Sequence, residues 1–328
     1  MKECAGWLTG IIKNELVRKL ANRTVVGFGL EGGETAPYDG HYFTTANDYR
    51  AHNDFPESFA RWAMTGIQAA GQGQALVWTR ATSPGVPSVV PLISMGQQMV
   101  WYDEYDGLRS VLNGILSIGL SGFSAVHSDI GGHHAADYHL PYLKYTREQE
   151  LLLRWTELSA FSDAVLRTHD GSQGDNTGAQ FDPVSNPAGM LQLMRMATLH
   201  RALAPYREKL MNVSKVTGWP MTRAQWLNFP ADPISVSLDR QFMVGEAQVV
   251  APVMDRYAKS VNVYVPSSKG PWIHLWTGIE YAAGWVVIGA PIGQPCVLWS
   301  WSNPDAVAWV STLCRTTTLV PVEGCTRV

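Results

Sequence analysis

The sequence predicts an α/β domain with a parallel sheet, followed by a smaller antiparallel β-sandwich. Three observations point there. Short apolar runs alternate with amphipathic helical stretches as far as about residue 217. Polar residues gather just after those runs. Beyond that point, short β-rich runs succeed one another with only Gly, Pro and Asn turns between them.

Residues 3–21 have helical periodicity, with Trp7, Ile11, Ile12, Leu16 and Leu20 on one face and Lys13, Glu15, Arg18 and Lys19 opposite. The run 24–30 reads as a buried strand that breaks at Glu31-Gly32-Gly33. A helix over 56–71 leads to a strand at 75–78, and 89–94 reads as another strand. Residues 106–120 read as a helix leading to a strand at 122–126, and 147–161 as a charged amphipathic helix. Glu31, Arg80, Gln97, Asp129 and His169 each follow one of the early runs. In a (β/α)8 barrel the active site is built on that edge, so this recurrence favours a barrel over a doubly wound sheet. Runs at 248–250, 261–265 and 285–288 supply the sandwich.

Composition narrows the function classes. The chain has 328 residues, 46% hydrophobic and only 16% charged, which fits a large buried core. A net charge of -3 with no basic run excludes a nucleic-acid partner. No window approaches the ~18 apolar residues of a membrane span. The N-terminus is too charged for a signal peptide and lacks a small-residue cleavage site, which favours the cytoplasm. Cys4, Cys296, Cys314 and Cys325 are scattered, without the Cys/His spacing of a zinc site. They read as reduced thiols in or near the core, and neither a metal nor a cofactor is expected.

With those pieces in order, the chain resembles glycoside hydrolase family 31, most closely its sulfoquinovosidase-like branch. His127-Ser128-Asp129-Ile130-Gly131-Gly132 resembles that branch's HSDIGG segment, and Arg167-Thr168-His169-Asp170-Gly171 its RTHEG turn. His52-Asn53-Asp54-Phe55-Pro56 is similar to an HNxYP segment. The stretches 245–253 and 272–278 resemble the family's proximal C-terminal sandwich. The likeness runs in unbroken order from about residue 3 to 300.

The resemblance implies a retaining mechanism with two carboxylates about 5–5.5 Å apart, one nucleophilic and one acid/base. Both positions are altered here. Gly33, Glu34, Pro37 and Asp39 fix the register of the nucleophile segment, which places Glu31 where the family has aspartate. A glutamate is chemically competent but sits one methylene further out, and a misplacement of about 1 Å can cost on the order of 100-fold. Ser94-Met95-Gly96-Gln97 runs into Asp106-Gly107-Leu108 without a gap, which places Gln97 on the acid/base aspartate. A carboxamide has no proton to give near neutral pH. Asp103 or Glu104 would have to stand in from six or seven residues further along.

Asp129, His169, Arg80 and Arg167 match positions that hold sugar hydroxyls or brace the site. His133 stands where the branch carries a tyrosine that helps recognise a sulfonate. The implied ligand is a carbohydrate, bound by a glycosidase acting on an α-glycoside or by a non-catalytic relative that keeps the face for a sugar or a partner. Residues 1–216 read as a partial (β/α)8 catalytic barrel, and 217–328 as the end of the barrel and the proximal sandwich. The family places the nucleophile after the fourth barrel strand, whereas here only one helix precedes residue 31. The expectation is therefore about five barrel strands with the N-terminal ones absent, in a fragment of a longer glycosidase or in a chain that a partner completes.

Overall fold

The computed structural model describes residues 2–17, 27–40, 48–73, 75–135, 145–169, 180–182, 186–317 and 319–325. The end of the first expected helix and the start of the first strand lie outside these. The chain divides into two compact units, Met1–Ser94 with Ser121–Phe123, and Met95–Leu120 with Ser124–Val328.

In the first unit, helix α1 (Lys2–Ile11) continues into one wider turn, Ile12–Val17. Strand β1 (Gly27–Leu30), helix α2 (Asp48–Ala69), strand β2 (Leu76–Thr79) and strand β3 (Leu92–Ser94) follow. β1 pairs in parallel with β2, Leu30 opposite Thr79, and β2 pairs in parallel with β3, Thr79 opposite Ile93. Two glycines permit close packing. A Cβ on Gly29 would lie 2.8 Å from the Trp78 ring, and one on Gly66 of α2 would lie 3.0 Å from Ile12 Cβ. Helix α2 begins eight residues before the expected 56 and runs through Pro56. The sequence favours a start at Pro56 because the first turn tolerates a missing N–H. Here the helix accepts the break inside, beside the packed loop at Gly33, whose Cβ would lie 3.6 Å from Pro56 Cα.

The second unit opens with helix α3 (Leu108–Leu120), strands β4 (Ala125–His127) and β5 (Asp129–Ile130), helix α4 (Gln149–Ser162) and strand β6 (Arg167–Thr168). Helices α5 (Pro187–Ala202) and α6 (Ala204–Thr217) follow. α5 starts on Asn186, whose side chain accepts from Ala188 and Gly189 N–H, and α6 ends on Gly218 at φ 75°.

Helix α4 corrects the expectation of an amphipathic helix: every residue from 151 to 162 is buried. Its charged groups neutralise one another inside. Arg154 and Glu157 are 2% and 1% exposed, with Nη1 and Oε2 2.9 Å apart. Glu157 also accepts from Gln192 of α5 at 3.1 Å and from the Gly293 N–H at 2.5 Å, while Arg154 donates to the Ala258 carbonyl at 3.1 Å. An ion pair answered on all sides can sit in a core, and a helical charge pattern does not reveal the pairing.

The remainder holds strand β7 (Thr222–Arg223), helix α7 (Gln225–Asn228), and strands β8 (Phe242–Val244), β9 (Gln248–Ala251), β10 (Ser260–Val265), β11 (Trp272–His274), β12 (Glu280–Tyr281), β13 (Gly284–Gly289) and β14 (Cys296–Ser300). Helices α8 (Pro304–Thr316) and α9 (Val322–Cys325) end the chain. A six-stranded antiparallel sheet has the order β12-β11-β14-β9-β8-β7, and β10 pairs antiparallel with β13. Met243, Val249, Val263, Val265, Trp272 and Leu298 share the core between them. This is the expected sandwich. The cysteines differ from expectation: Cys314 and Cys325 form a disulfide, Cα atoms 5.8 Å apart, because α9 turns back beside α8. Cys296 is a buried free thiol whose pKa burial pushes up to about 12.

Two stability predictions follow from this burial. Glu157→Leu leaves the buried Arg154 charge without its nearest counter-ion, and should cost about 3–5 kcal/mol in urea unfolding. Arg154→Met with Glu157→Leu should recover most of that loss; equal losses in the single and double variants would contradict the pairing. The second concerns His274, which burial pulls from 6.5 to about 4. The unfolded chain takes the proton first, so His274 contributes stability above about pH 6.5 that is lost as pH falls towards 4. Between pH 7 and 5 the loss is on the order of 1–2 kcal/mol. His274→Phe should reduce the pH dependence by that amount, and unchanged slopes would refute the assignment. His127 and His200 shift the same way, while Asp163, pushed up to about 6 by burial, opposes them.

Candidate active site

The second unit assembles a compact polar cluster from β5, β6 and the turn after β5. β5 and β6 pair in parallel with Asp129 opposite Arg167 and Ile130 opposite Thr168, and the Thr168 hydroxyl donates to the Ile130 carbonyl at 2.8 Å. Gly131 and Gly132 then turn the chain at φ 84° and 86°. A Cβ on Gly132 would lie 2.8 Å from the Met99 carbonyl oxygen, and one on Gly131 2.5 Å from Leu152. Only glycine combines that backbone region with that clearance. The turn brings His133 back over the carboxylate of Asp129, Nδ1 to Oδ2 3.0 Å.

Asp129 is 3% exposed, and its other oxygen lies 3.5 Å from Arg167 Nε and 3.7 Å from His169 Nε2. Arg167 Nη2 donates to His169 Nε2 at 2.6 Å, and the His133 and His169 rings lie 4.0 Å apart. The neighbouring His127 is held neutral, its pKa lowered to about 4 by burial and then by the Arg167 charge. Four of the residues singled out in the sequence, Asp129, His133, Arg167 and His169, thus stand together.

Gln97 lies on a loop stitched to this turn by the backbone. Met95 N–H donates to the His127 carbonyl at 2.8 Å, His133 N–H to the Gln98 carbonyl at 2.8 Å, and Val100 N–H to the His134 carbonyl at 3.0 Å. Within the loop Gln98 is buried and Gln97 exposed. Asp103, a possible stand-in acid, accepts from Tyr105 and Asp106 N–H at 2.7 and 3.0 Å and so caps its own turn.

Glu31 and Arg80 belong to the first unit. Glu31 follows β1 directly and is exposed. Arg80 follows β2, donates its N–H to the Leu30 carbonyl at 3.1 Å and places Nε 3.5 Å from Glu34. The Gly32–Thr35 turn closes at 3.1 Å, and His52 of α2 meets the Ala36 carbonyl and stacks on Tyr38 at 3.7 Å. The loop carrying Glu31 is thereby anchored on both sides.

Two supports escaped the sequence reading. Asp163 ends α4 and accepts from the Ser128 N–H and hydroxyl, each at 2.9 Å, which fixes the residue before Asp129. Arg147, almost fully buried, donates to the His169 carbonyl at 2.6 Å and to the Phe181 carbonyl at 2.8 Å. Their signal was the position of charged residues at both ends of a helix that is buried from 151 to 162. Chemically, the cluster offers a carboxylate acceptor beside guanidinium and imidazole donors, a set suited to vicinal hydroxyls. Asp129, His133 and His169 bring ligand atoms within 4.8 Å of one another, but Arg167 occupies the same shell and engages the His169 lone pair. That charge disfavours a cation there. No helix among the described residues is long and apolar enough to cross a membrane.

Comparison with known proteins agrees with this architecture. Residues 12–208 match the glycosyl hydrolases family 31 TIM-barrel domain, and residues 218–299 the glycosyl hydrolase family 31 C-terminal domain. The sulfoquinovosidase of Agrobacterium fabrum is 32% identical over 86% of this chain and 42% of its own length. That of Escherichia coli is 30% identical over 94% of this chain and 43% of its own. A family 31 sulfoquinovosidase from E. rectale, solved with the aza-sugar inhibitor IFGSQ, superposes with a TM-score of 0.85 at 26% identity, over 97% of this chain and 45% of that one. The chain thus spans under half the length of these relatives, and it belongs to glycoside hydrolase family 31.

Proposed function

We propose that this chain carries the catalytic face of a retaining α-glycosidase, with a sulfoquinovoside as the favoured substrate class. The observation that carries the reading is the buried Asp129 carboxylate, ringed by His133, Arg167 and His169 within 3.7 Å. Such a ring presents the partly exposed donors of His133, Arg167 and His169 around a carboxylate that orders them from behind. In this reading Glu31 attacks the anomeric carbon, forming a glycosyl ester and releasing the aglycone oxygen. Water then attacks the anomeric carbon with overall retention and releases Glu31. Its proton goes to bulk solvent, since the Gln97 carboxamide cannot accept it, so this step is slowed too. Asp129 and His169 hold sugar hydroxyls, and Arg80 and Arg167 brace the site. His133, facing the same carboxylate, contacts the sugar's anionic end in place of tyrosine.

Gln97 sets the limits of this chemistry. It can orient a leaving group or a water by hydrogen bonding, but it supplies no proton. Departure of an alkoxide is therefore slow, and departure of a stabilised aryloxide is not. The same observation favours a second reading, a sugar-binding relative without turnover, and the leaving-group series separates the two. The assay uses the chain alone and joined to the barrel strands that the family carries before the nucleophile. Activated aryl α-glycosides should be hydrolysed and alkyl ones hardly at all. Gln97→Asp should raise alkyl hydrolysis by about 10²–10⁴-fold, the range of general-acid catalysis, and aryl hydrolysis far less. Saturable sugar binding with no aryl turnover would establish the second reading. Rapid alkyl hydrolysis unaffected by Gln97→Asp would mean that another group gives the proton.

A further inference from the structure

A second polar concavity lies elsewhere in the second unit and shares no residue with the cluster around Asp129. It is a cavity of about 360 Å³ lined by Tyr206 and Lys209 of α6, Trp219, Arg223 of β7, Glu246 and Asn303. The volume is in the range of small-molecule sites.

Arg223 is the feature that demands an explanation. It is 3% exposed, yet its Nε has no hydrogen-bond partner, and no carboxylate among the described residues lies within ion-pair distance. The other buried guanidiniums each make at least one hydrogen bond or ion pair. Arg154 pairs with Glu157, Arg147 donates to the His169 and Phe181 carbonyls, and Arg207 donates to those of His200 and Ala160. The acidic groups around Arg223 are already engaged: Glu246 pairs with Lys269 at 2.9 Å and Asp305 with Lys209 at 2.6 Å. The Tyr206 oxygen is saturated as well, accepting from Glu246 and Ala247 N–H at 3.2 Å and donating to the Val244 carbonyl at 3.2 Å. What Arg223 has is the Trp219 ring, 4.9 Å from its guanidinium carbon, and that ring is itself 37% exposed. Burial lowers the Arg223 pKa, and the Tyr206 and Glu246 side chains oppose that shift only in part.

A fixed, desolvated guanidinium beside an aromatic wall is the arrangement that captures a planar or tetrahedral oxyanion carried on a ring. We propose that this cavity binds a small ring-bearing oxyanion, a carboxylate, sulfonate or phosphate, with Arg223 as its charge partner and Trp219 as its apolar wall. Asn303 lends a further polar group: its carboxamide oxygen caps α8 through the N–H groups of Asp305 and Ala306, which leaves the amide NH2 as a donor. The site stands apart from the proposed glycosidase chemistry, so either can fail without the other.

The test is isothermal titration of the chain with benzoate, benzenesulfonate and phenyl phosphate, with inorganic phosphate to isolate the charge and benzyl alcohol to isolate the ring. At least one aryl anion should bind about tenfold or more tightly than benzyl alcohol. Arg223→Gln should abolish that difference, and Trp219→Leu should weaken the aryl anion more than inorganic phosphate. Arg223→Met removes an unanswered buried charge, so without ligand it should melt no lower than the parent chain, and the aryl anion should raise the Tm of the parent chain alone. Three results would overturn the proposal: no anion binds below about 10 mM, binding survives Arg223→Gln unchanged, or both Arg223 variants fail to fold.

Discussion

The carboxylate of Asp163 has no access to water, and three hydroxyl and amide donors from Ser128 and Ser162 converge on it. Burial raises its pKa to about 6 and those donors oppose the rise, so near neutral pH it stays largely charged and bound to Ser128. Ser128 in turn accepts the indole N–H of Trp155 at 3.0 Å. From this one buried acceptor the chain proceeds to Asp129, whose side chain is held in turn by His133 Nδ1 at 3.0 Å. Arg147 acts at the other end of the same helix and fixes the backbone of His169. The candidate site is thus a surface held by α4, and α4 is tied in place by the Arg154–Glu157 pair and by the bonds it makes with Gln192, Gly293 and Ala258.

The fold was legible where periodicity and turn chemistry agree. The alternation of strands and helices and the β-rich tail could be read from residue types alone. The choice of Asp129, His133, Arg167 and His169 as site residues rested on the family resemblance, and the structure brings the four together. The failures have physical causes. Arg154 and Glu157 looked like a solvated face, since a local charge pattern carries no information about Gln192 and Gly293, which reach Glu157 from 35 and 136 residues away. Pro56 looked like a helix start, and tertiary packing overrode that preference. The Cys314–Cys325 bond depends on how α9 folds back, which spacing does not encode.

The two positions proposed for nucleophile and acid/base sit on loops that are both anchored by hydrogen bonds. The Gln97 loop is stitched to the glycine turn by several backbone hydrogen bonds and keeps its shape whatever side chain it presents. The Glu31 loop is held by Arg80, His52 and the Gly32–Thr35 turn in the same fashion. A loop held by its backbone keeps its shape when its side chain is exchanged, so under the proposed function sugar affinity and turnover are separable.

The central claim is that Glu31 is the nucleophile of a retaining reaction. A mechanism-based 5-fluoro-α-glycosyl fluoride tests it directly, because its activated leaving group needs no acid and its glycosyl-enzyme ester is hydrolysed slowly. The measurement is mass spectrometry of peptides from the labelled chain, alone and joined to the preceding barrel strands. The account predicts one glycosyl adduct per chain, on the peptide containing Glu31, and its loss in Glu31→Gln. An adduct on another carboxylate, or fluoride release with no covalent adduct at any stage, would contradict it.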